Sequence, residues 1–269
     1  TDLLTDPASA IAAYDFNLNP PTDDRPFFFH FFRWRQTPEV IATLGLTWQP
    51  FGGSGYLVLL ALLGLMLALA LPLVIAPLVI LGRGTSWSAP SLPTLGYFAC
   101  LGAGYLLVEI PLIQRLTLLL DRPALALATV LFTLLLASGV GSLISSRVSL
   151  RKSLAALIVL MAITITLLPT AIDLALPWEL PARLALTIAI LTPAGLLMGV
   201  PFAAGLRRLE DRAPGSIPWA WAVNGAISGI SGVLAALISL DAGFTVTLVV
   251  GTLAYFGAWV TAPRLENHV

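Results

Sequence analysis

The chain has 269 residues, of which 58% are hydrophobic and only 10% are charged, and its mean hydropathy is +0.92. This composition excludes a water-soluble globular domain and indicates a multispanning membrane protein. The 14 basic and 14 acidic residues give a formal net charge of zero. Electrostatics therefore gives no reason to expect a nucleic-acid partner, and the expected surroundings are a lipid bilayer.

Cysteine and histidine usage narrows the cofactor classes. Cys100 is the only cysteine, and His30 and His268 both lie outside the apolar runs. These positions exclude an internal disulfide, a thiolate metal cluster and a bis-histidine haem inside the membrane. We therefore predict no metal site and no cofactor.

Residues 1–54 form the only sizeable non-membrane portion. Asp6 followed by Pro7 predicts the N-cap and first turn of a short helix that ends near Tyr14. Further on, an aromatic block ends in arginines, which suits a membrane–water boundary better than a soluble aromatic core. The predicted interfacial residues are Phe28, His30, Arg33, Trp34 and Arg35. Because the chain begins at Thr1 without a signal-like segment, we expect it to be the carboxyl-terminal part of a longer protein, or a processed product.

Seven apolar segments follow, each near the length of about 20 residues that a bilayer requires. The predicted fold is therefore all-α and membrane-integral: an irregular, aromatic-rich segment (1–54) followed by a seven-helix domain (55–269). The predicted segments are Gly55–Leu81, Leu92–Leu116, Ala124–Ser145, Ser153–Ile172, Arg183–Gly205, Trp219–Leu240 and Phe244–Ala262.

The second segment carries a carboxylate, Glu109, within its apolar run. A charged group at mid-membrane depth is unfavourable by several kcal/mol, so it normally faces a bundle interior, a cavity or a partner. Tyr105 lies one turn earlier on the same face, and Pro111 frees the carbonyl of Leu107. Glu109 is either a proton or ligand site or a structural group that pins two helices together.

Asn224, in the sixth segment, is the second polar group that needs a partner within the membrane. We expect it either to bond Glu109 on a neighbouring helix or to bond a backbone carbonyl freed by Pro201. The predicted intramembrane polar site is therefore Glu109, Asn224 and Tyr105.

Small residues at helical spacing predict where helices approach closely. They predict a tight inner core of the second, third, fifth and sixth segments, with the first and seventh outside. The predicted packing residues are Gly195, Gly199, Gly225, Gly229 and Gly232.

Lysine and arginine counts in the short loops predict the orientation. Eight basic residues lie on the side reached after an odd number of crossings, against three near the membrane on the other side, or six when Arg25, Arg33 and Arg35 are counted. We therefore expect a plasma (inner) membrane protein with a cytoplasmic carboxyl terminus and an extracytoplasmic amino-terminal segment.

Several stretches resemble the membrane region of bacterial spermidine synthase-like proteins, which join a Rossmann-type, polyamine aminopropyltransferase-like domain to multispanning segments. The resemblance rests on residues 21–32 (PTDDRPFFFHFF), 105–115 (YLLVEIPLIQR), 135–142, 198–202 (MGVPF) and 218–225 (PWAWAVNG). It implies that a catalytic domain of the S-adenosylmethionine-dependent transferase type accompanies this region. Such a transferase needs a glycine-rich turn after a strand, whereas the glycines at 52–55 open a membrane helix. No catalytic residues are predicted within the chain.

Two functional hypotheses remain open. In the first, the chain is a non-catalytic membrane domain that anchors or serves a catalytic domain or partner outside these residues. In the second, it is a transporter-like or structural accessory subunit of a larger membrane complex, with an intramembrane Glu/Asn site.

Overall fold

A computed structural model describes residues 6–28, 30–42, 54–70 and 91–262, together with the single positions 72, 76 and 80. Its regular structure within these ranges is helical, and six helices are long and apolar enough to span a membrane. The predicted all-α membrane fold is confirmed. The helices are α1 (Pro7–Ala13), α2 (Thr37–Ala42), α3 (Ser54–Ala70), α4 (Leu92–Leu120), α5 (Pro123–Ile144), α6 (Leu150–Ala175), α7 (Leu180–Arg212), α8 (Ile217–Ala242) and α9 (Phe244–Thr261).

The short helix α1 begins where the sequence predicts it. Asp6 is its N-cap and accepts the backbone N–H of Ser9 at 3.3 Å. The other end of α1 is held by Arg33, which donates to the carbonyls of Ile11 and Ala12 at 2.9 and 3.0 Å. A guanidinium at the last carbonyls satisfies acceptors that a helix leaves open and complements its dipole.

Most membrane helices extend beyond their predicted apolar segments. With 29 residues, α4 is about 43 Å long, which matches a whole bilayer with its headgroup layers rather than the hydrocarbon core alone. The predicted first segment is described as helix only over Ser54–Ala70, and the remainder of it lies outside the described residues apart from the three single positions.

The helix α4 lies at the centre of the bundle and packs against α5, α7, α8 and α9. The seventh predicted segment, α9, is not peripheral as expected, because it packs on α4 as extensively as α8 does. Two glycines allow this approach: a Cβ at Gly251 would lie 2.9 Å from the Val108 side chain, and one at Gly104 would lie 2.9 Å from the Tyr255 ring. The first segment, α3, packs mainly against α8.

The ends of the helices define two faces of the bundle. We call the face where α4, α6 and α8 end the docking face, and the opposite face the far face. The amino-terminal segment lies on the docking face, where Arg25 donates to the carbonyl of Asp241 at 3.3 Å. Since α4 begins on the far face, the chain must pass from one face to the other before Leu92. Helix α3 begins near the docking-face end of α8 and runs antiparallel to it, as a first membrane crossing would.

Candidate functional site

Asp24 makes most of the hydrogen bonds between the described amino-terminal segment and the bundle, chiefly through its carboxylate. A tight turn over Thr22–Arg25 presents this side chain, with the Arg25 N–H bonded to the Thr22 carbonyl at 2.8 Å. Oδ1 of Asp24 accepts the backbone N–H of Thr245 at 2.9 Å and the Thr245 hydroxyl at 2.7 Å. The same oxygen accepts a charge-assisted bond from Nη2 of Arg115 on α4.

These bonds cap the amino terminus of α9 from a distant part of the chain. The first N–H groups of a helix have no partner within it. Here the N–H of Phe244 donates to the Asp24 carbonyl at 3.0 Å, while that of Thr245 donates to its carboxylate. The residue at the N-cap position is Gly243, which has no side chain that could serve instead.

Only glycine fits at position 243. Its φ of +95° is one that L side chains rarely adopt. A Cβ there would also lie 2.4 Å from Oδ2 of Asp24. The close approach of Asp24 to α9 therefore depends on this glycine.

Hydrogen bonding lowers the pKa of Asp24. Burial alone would raise the pKa of this carboxyl, but the hydrogen bonds from Thr245 and Arg115 outweigh burial and hold it below its ordinary value. The ionised form is therefore the one that fits the site.

Aromatic contacts accompany the ionic attachment. The Phe27 ring meets that of Phe244 edge-on at 5.7 Å, and Phe32 packs against Tyr56 of α3 at 4.6 Å. His30 lies half-buried, 6.4 Å from the Tyr56 ring, and burial lowers the pKa of its imidazole. The nearby Arg25 also lowers this pKa, while Asp241 opposes the shift.

The other predicted interfacial residues make different contacts. Arg35 donates to the Tyr14 carbonyl at 3.1 Å, so both predicted interfacial arginines bind backbone near the end of α1. The Phe28 side chain is 68% exposed. Trp34 opens a short 3-10 helix, and its side chain lies outside the described residues. Contact with a headgroup layer stays a prediction.

A second arginine joins helix ends on the docking face. Arg183 of α7 donates to the carboxylate of Asp121 at 2.6 Å and to the carbonyl of Leu119 at 3.1 Å, both at the end of α4. It also donates to the carbonyls of Leu176 and Trp178, just after α6. The ends of α4 and α6 are thereby fixed beside the start of α7.

A cleft of about 660 Å³ opens beside Asp24. Its walls come from the Thr22–Pro26 stretch and from α4, α6 and α9, so it exists only while the amino-terminal segment is docked. Charged and polar side chains line it together with apolar ones: Asp23, Asp24, Gln114, Arg115, Thr117, Leu118, Ile172 and Asp173.

Glu109 lies deep in the bundle and is only 6% exposed. Its Oε1 has no hydrogen-bond partner among the described residues. Tyr105 and Tyr255 lie within electrostatic range of the carboxyl group. Arg115, six residues further along α4, pairs with Asp24 instead.

The expected contact between Asn224 and Glu109 is wrong. Asn224 Nδ2 donates to the carbonyl of Phe98 at 3.1 Å, and Phe98 lies about 16 Å from Glu109 along α4. The alternative, a carbonyl freed by Pro201, is also not the partner. The structure brings Tyr105 and Glu109 together and leaves Asn224 at another level.

Glycines on α8 do not pack as expected. Gly225 has nothing within 4 Å of a Cβ position, and Gly229 and Gly232 meet only ordinary van der Waals contacts. Helix α8 instead approaches α4 closely at Asn224, the residue before Gly225. A Cβ on Gly102 of α4 would lie 2.4 Å from the Asn224 carbonyl oxygen.

Gly195 and Gly199 lie at the contact of α7 with α5. A Cβ on Gly199 would lie 1.9 Å from the Ser138 carbonyl, and one on Gly195 would lie 2.7 Å from the Ala137 Cβ. The reciprocal approach is at Gly141 of α5, where a Cβ would lie 2.0 Å from the Leu196 carbonyl oxygen.

Sequence reasoning missed Asp24, Thr245 and Gly243 as site residues. The available signals were an Asp-Asp-Arg turn between two prolines and a glycine at the junction of two membrane segments.

The fold defines a multispanning α-helical membrane protein whose amino-terminal segment is docked on one face. In comparisons with known proteins, no family model, no curated protein and no solved structure matches the chain.

Proposed function

We propose that this chain is a non-catalytic membrane domain, of the kind found in spermidine synthase-like proteins, that holds an attached domain or partner subunit against the docking face. The observation that carries the proposal is the attachment of Asp24 to Thr245 and Arg115. Three hydrogen bonds to one carboxylate fix a polar segment on two membrane helices. Such a segment has a fixed position on the bundle. A domain or subunit attached to it is then held in a fixed position relative to the membrane helices.

The stretches behind the family resemblance also support the proposal, because they meet in pairs. Asp24 of the first stretch binds Arg115, the last residue of the second. Gly199 of the fourth lies against Ser138 of the third. These stretches therefore hold helices together and fix the amino-terminal segment on the bundle, which is what an anchoring domain requires.

A second candidate, a transporter-like or accessory subunit, is favoured by Glu109. A buried carboxyl oxygen without a partner is uncommon and is often satisfied by water or a ligand. In this alternative Glu109 carries a proton or binds a polar substrate group.

The proposed location is the plasma membrane, with the far face in the cytoplasm. At the described helix ends, six basic residues lie near the far face (Arg147, Arg151, Lys152, Arg207, Arg208 and Arg212) against three near the docking face (Arg115, Arg122 and Arg183), while the docked segment adds Arg25, Arg33 and Arg35 to the docking face. Single cysteines in a Cys100→Ala background test this orientation with a membrane-impermeant maleimide. Labelling from outside is expected in the 177–181 loop and absent in the 211–215 loop; the reverse pattern would invert the orientation.

The anchoring function is tested by a photo-crosslinker at Phe28, which is exposed in the docked segment, in the natural full-length protein. We expect adducts with an attached domain or a partner subunit, and fewer of them when Asp24→Ala is added. A crosslinker at Val159, exposed on α6 within the membrane, is the matched control and should find lipid. Lipid adducts alone at both positions would contradict the proposal.

A further inference from the structure

We infer that the far face binds an anionic phospholipid, whose phosphate group is held by a basic surface formed by Arg147, Arg151, Lys152 and Arg207. This inference goes beyond the proposed anchoring function, because it assigns a ligand to the opposite face of the bundle. Its failure would leave the docking of the amino-terminal segment unaffected.

The four cations of the basic surface have no carboxylate partner in the described part of the chain. Arg147, Arg151 and Lys152 are exposed, and Arg207 is partly exposed, so all four can be reached from outside the protein. None of them forms an ion pair with a described residue. On the docking face, by contrast, the arginines of α4 and α7 pair with aspartates. The basic surface therefore carries positive charge that the described residues do not neutralise.

Two of these cations are held in place by other elements of the bundle. The guanidinium carbon of Arg151 lies 4.8 Å from the centroid of the Trp259 ring, in the last turn of α9. Arg207 of α7 donates from Nη2 to the Ser145 hydroxyl at 2.7 Å, just after the end of α5. Neither contact neutralises the charge, so both guanidinium groups can still bind an anionic oxygen. Their positions are fixed before a ligand arrives.

The start of α6 adds to the positive charge. Arg151 and Lys152 lie in its first turn, where the helix dipole is positive and basic side chains are unfavourable. No acidic residue occupies this turn, and the Ser149 side chain makes no capping bond. An anion placed here would relieve the repulsion among the cations and accept hydrogen bonds from the first N–H groups of the helix.

Apolar side chains continue from the basic surface towards the membrane. Leu143 and Ile144 are exposed at the end of α5, and Phe256 and Val260 are exposed at the end of α9. Trp259 marks the boundary between them and the cations, since indole rings favour the membrane–water interface. A phosphate at this level with acyl chains along the exposed apolar side chains describes a phospholipid. The cations repel an ammonium group and so favour a headgroup with a net negative charge.

The test is native mass spectrometry of the natural full-length protein, purified in detergent and titrated with dioleoylphosphatidylglycerol and with dioleoylphosphatidylethanolamine. Wild-type protein should bind the glycerol lipid more tightly. Arg151→Gln should weaken this binding about fivefold, and Arg151→Gln/Lys152→Gln should weaken it further and remove the preference. Arg147→Gln, outside any helix, should also weaken it, so the test does not depend on the stability of α6. Arg122→Gln removes an exposed arginine at the docking face, is the matched control and should change neither quantity.

Four outcomes would overturn the inference. Equal affinity for both lipids would remove the charge argument, and unchanged binding in Arg147→Gln and in the double variant would place the lipid elsewhere. An equal loss in Arg122→Gln would show a general effect of net charge. Soluble glycerophosphoglycerol, added as competitor, separates the lipid from a free phosphodiester. If it displaces the lipid at equal concentration, the basic surface binds a soluble anion and not a membrane lipid.

Discussion

The carboxylate of Asp24 accepts the backbone N–H of Thr245 at 2.9 Å, although the two residues lie 221 positions apart. The bond joins a turn in the amino-terminal segment to the first turn of the last membrane helix. Arg115 closes the arrangement from a third element, the central helix α4. The docking of the amino-terminal segment thus depends on a small set of polar atoms at one face of the bundle.

Acidification should undock the amino-terminal segment in two steps. The folded-state pKa of His30 lies below its ordinary value of 6.5, so its contribution to stability is complete above pH 6.5 and is lost as pH falls through the lowered value. The folded-state pKa of Asp24 lies below 3.8, so its contribution is complete above that pH and is lost on further acidification.

Thermal unfolding in detergent from pH 7.5 to pH 3 measures both steps. His30→Gln should remove the upper step and Asp24→Asn the lower one. A stability profile that is the same in wild type and both variants would show that neither group is linked to folding.

Gly199→Ala should destabilise the contact between α5 and α7. Its Cβ would lie 1.9 Å from the Ser138 carbonyl, so two backbones must move apart, at a cost of about 1–3 kcal/mol. Gly225→Ala is the control, because open space surrounds that position and stability should be unchanged or slightly raised. Equal melting temperatures for wild type and Gly199→Ala would contradict the close packing.

Glu109→Gln should fold with a stability within about 0.5 kcal/mol of wild type, because the amide has nearly the shape of the carboxyl group and, like its neutral form, offers one acceptor oxygen and a donor. Glu109→Ala should lose about 2 kcal/mol or more, since it leaves a cavity in the core. Thermal unfolding measures both variants. Failure of Glu109→Gln to fold would show that the carboxylate itself is structural.

The Glu109→Gln variant also distinguishes the anchoring domain from the transporter-like alternative. In proteoliposomes, an anchoring domain gives no proton flux with either side chain at position 109. Flux in wild type that Glu109→Gln abolishes would favour the transporter-like alternative.

The membrane helices could be predicted because a bilayer demands a long apolar run, and prolines at the starts of α4, α5 and α7 mark helix boundaries. Helix ends were predicted less well. The helix α7 continues to Arg212, seven residues beyond its predicted end at Gly205, because polar residues can extend a helix into the headgroup layer without any hydropathy signal.

Helix faces were harder to predict than helix positions. On α8, Asn224 with Ser228 and Gly225 with Gly229 form neighbouring small-residue stripes, turned by about 100° from each other. Sequence alone cannot say which stripe meets α4. The structure shows that Asn224 and Ser228 bond the carbonyls of Phe98 and Gly102.

Asp24 could not be assigned from the sequence because its partners come from two distant helices. The proline-flanked turn around Asp24 was recognisable, but a turn does not reveal what it contacts. Gly243 is explained only once Asp24 lies beside it.

Hydrogen exchange at the amides of Phe244 and Thr245 tests the docking most directly, because Asp24 provides the acceptor for both. In wild type both amides should be protected, although they open a helix. Asp24→Ala should speed exchange at both by at least about tenfold, since the loss of the charged acceptor releases the whole turn. Asp23→Ala, the neighbouring control, should leave both rates unchanged. Protection of Phe244 and Thr245 that survives Asp24→Ala would contradict the docking of the amino-terminal segment through this carboxylate.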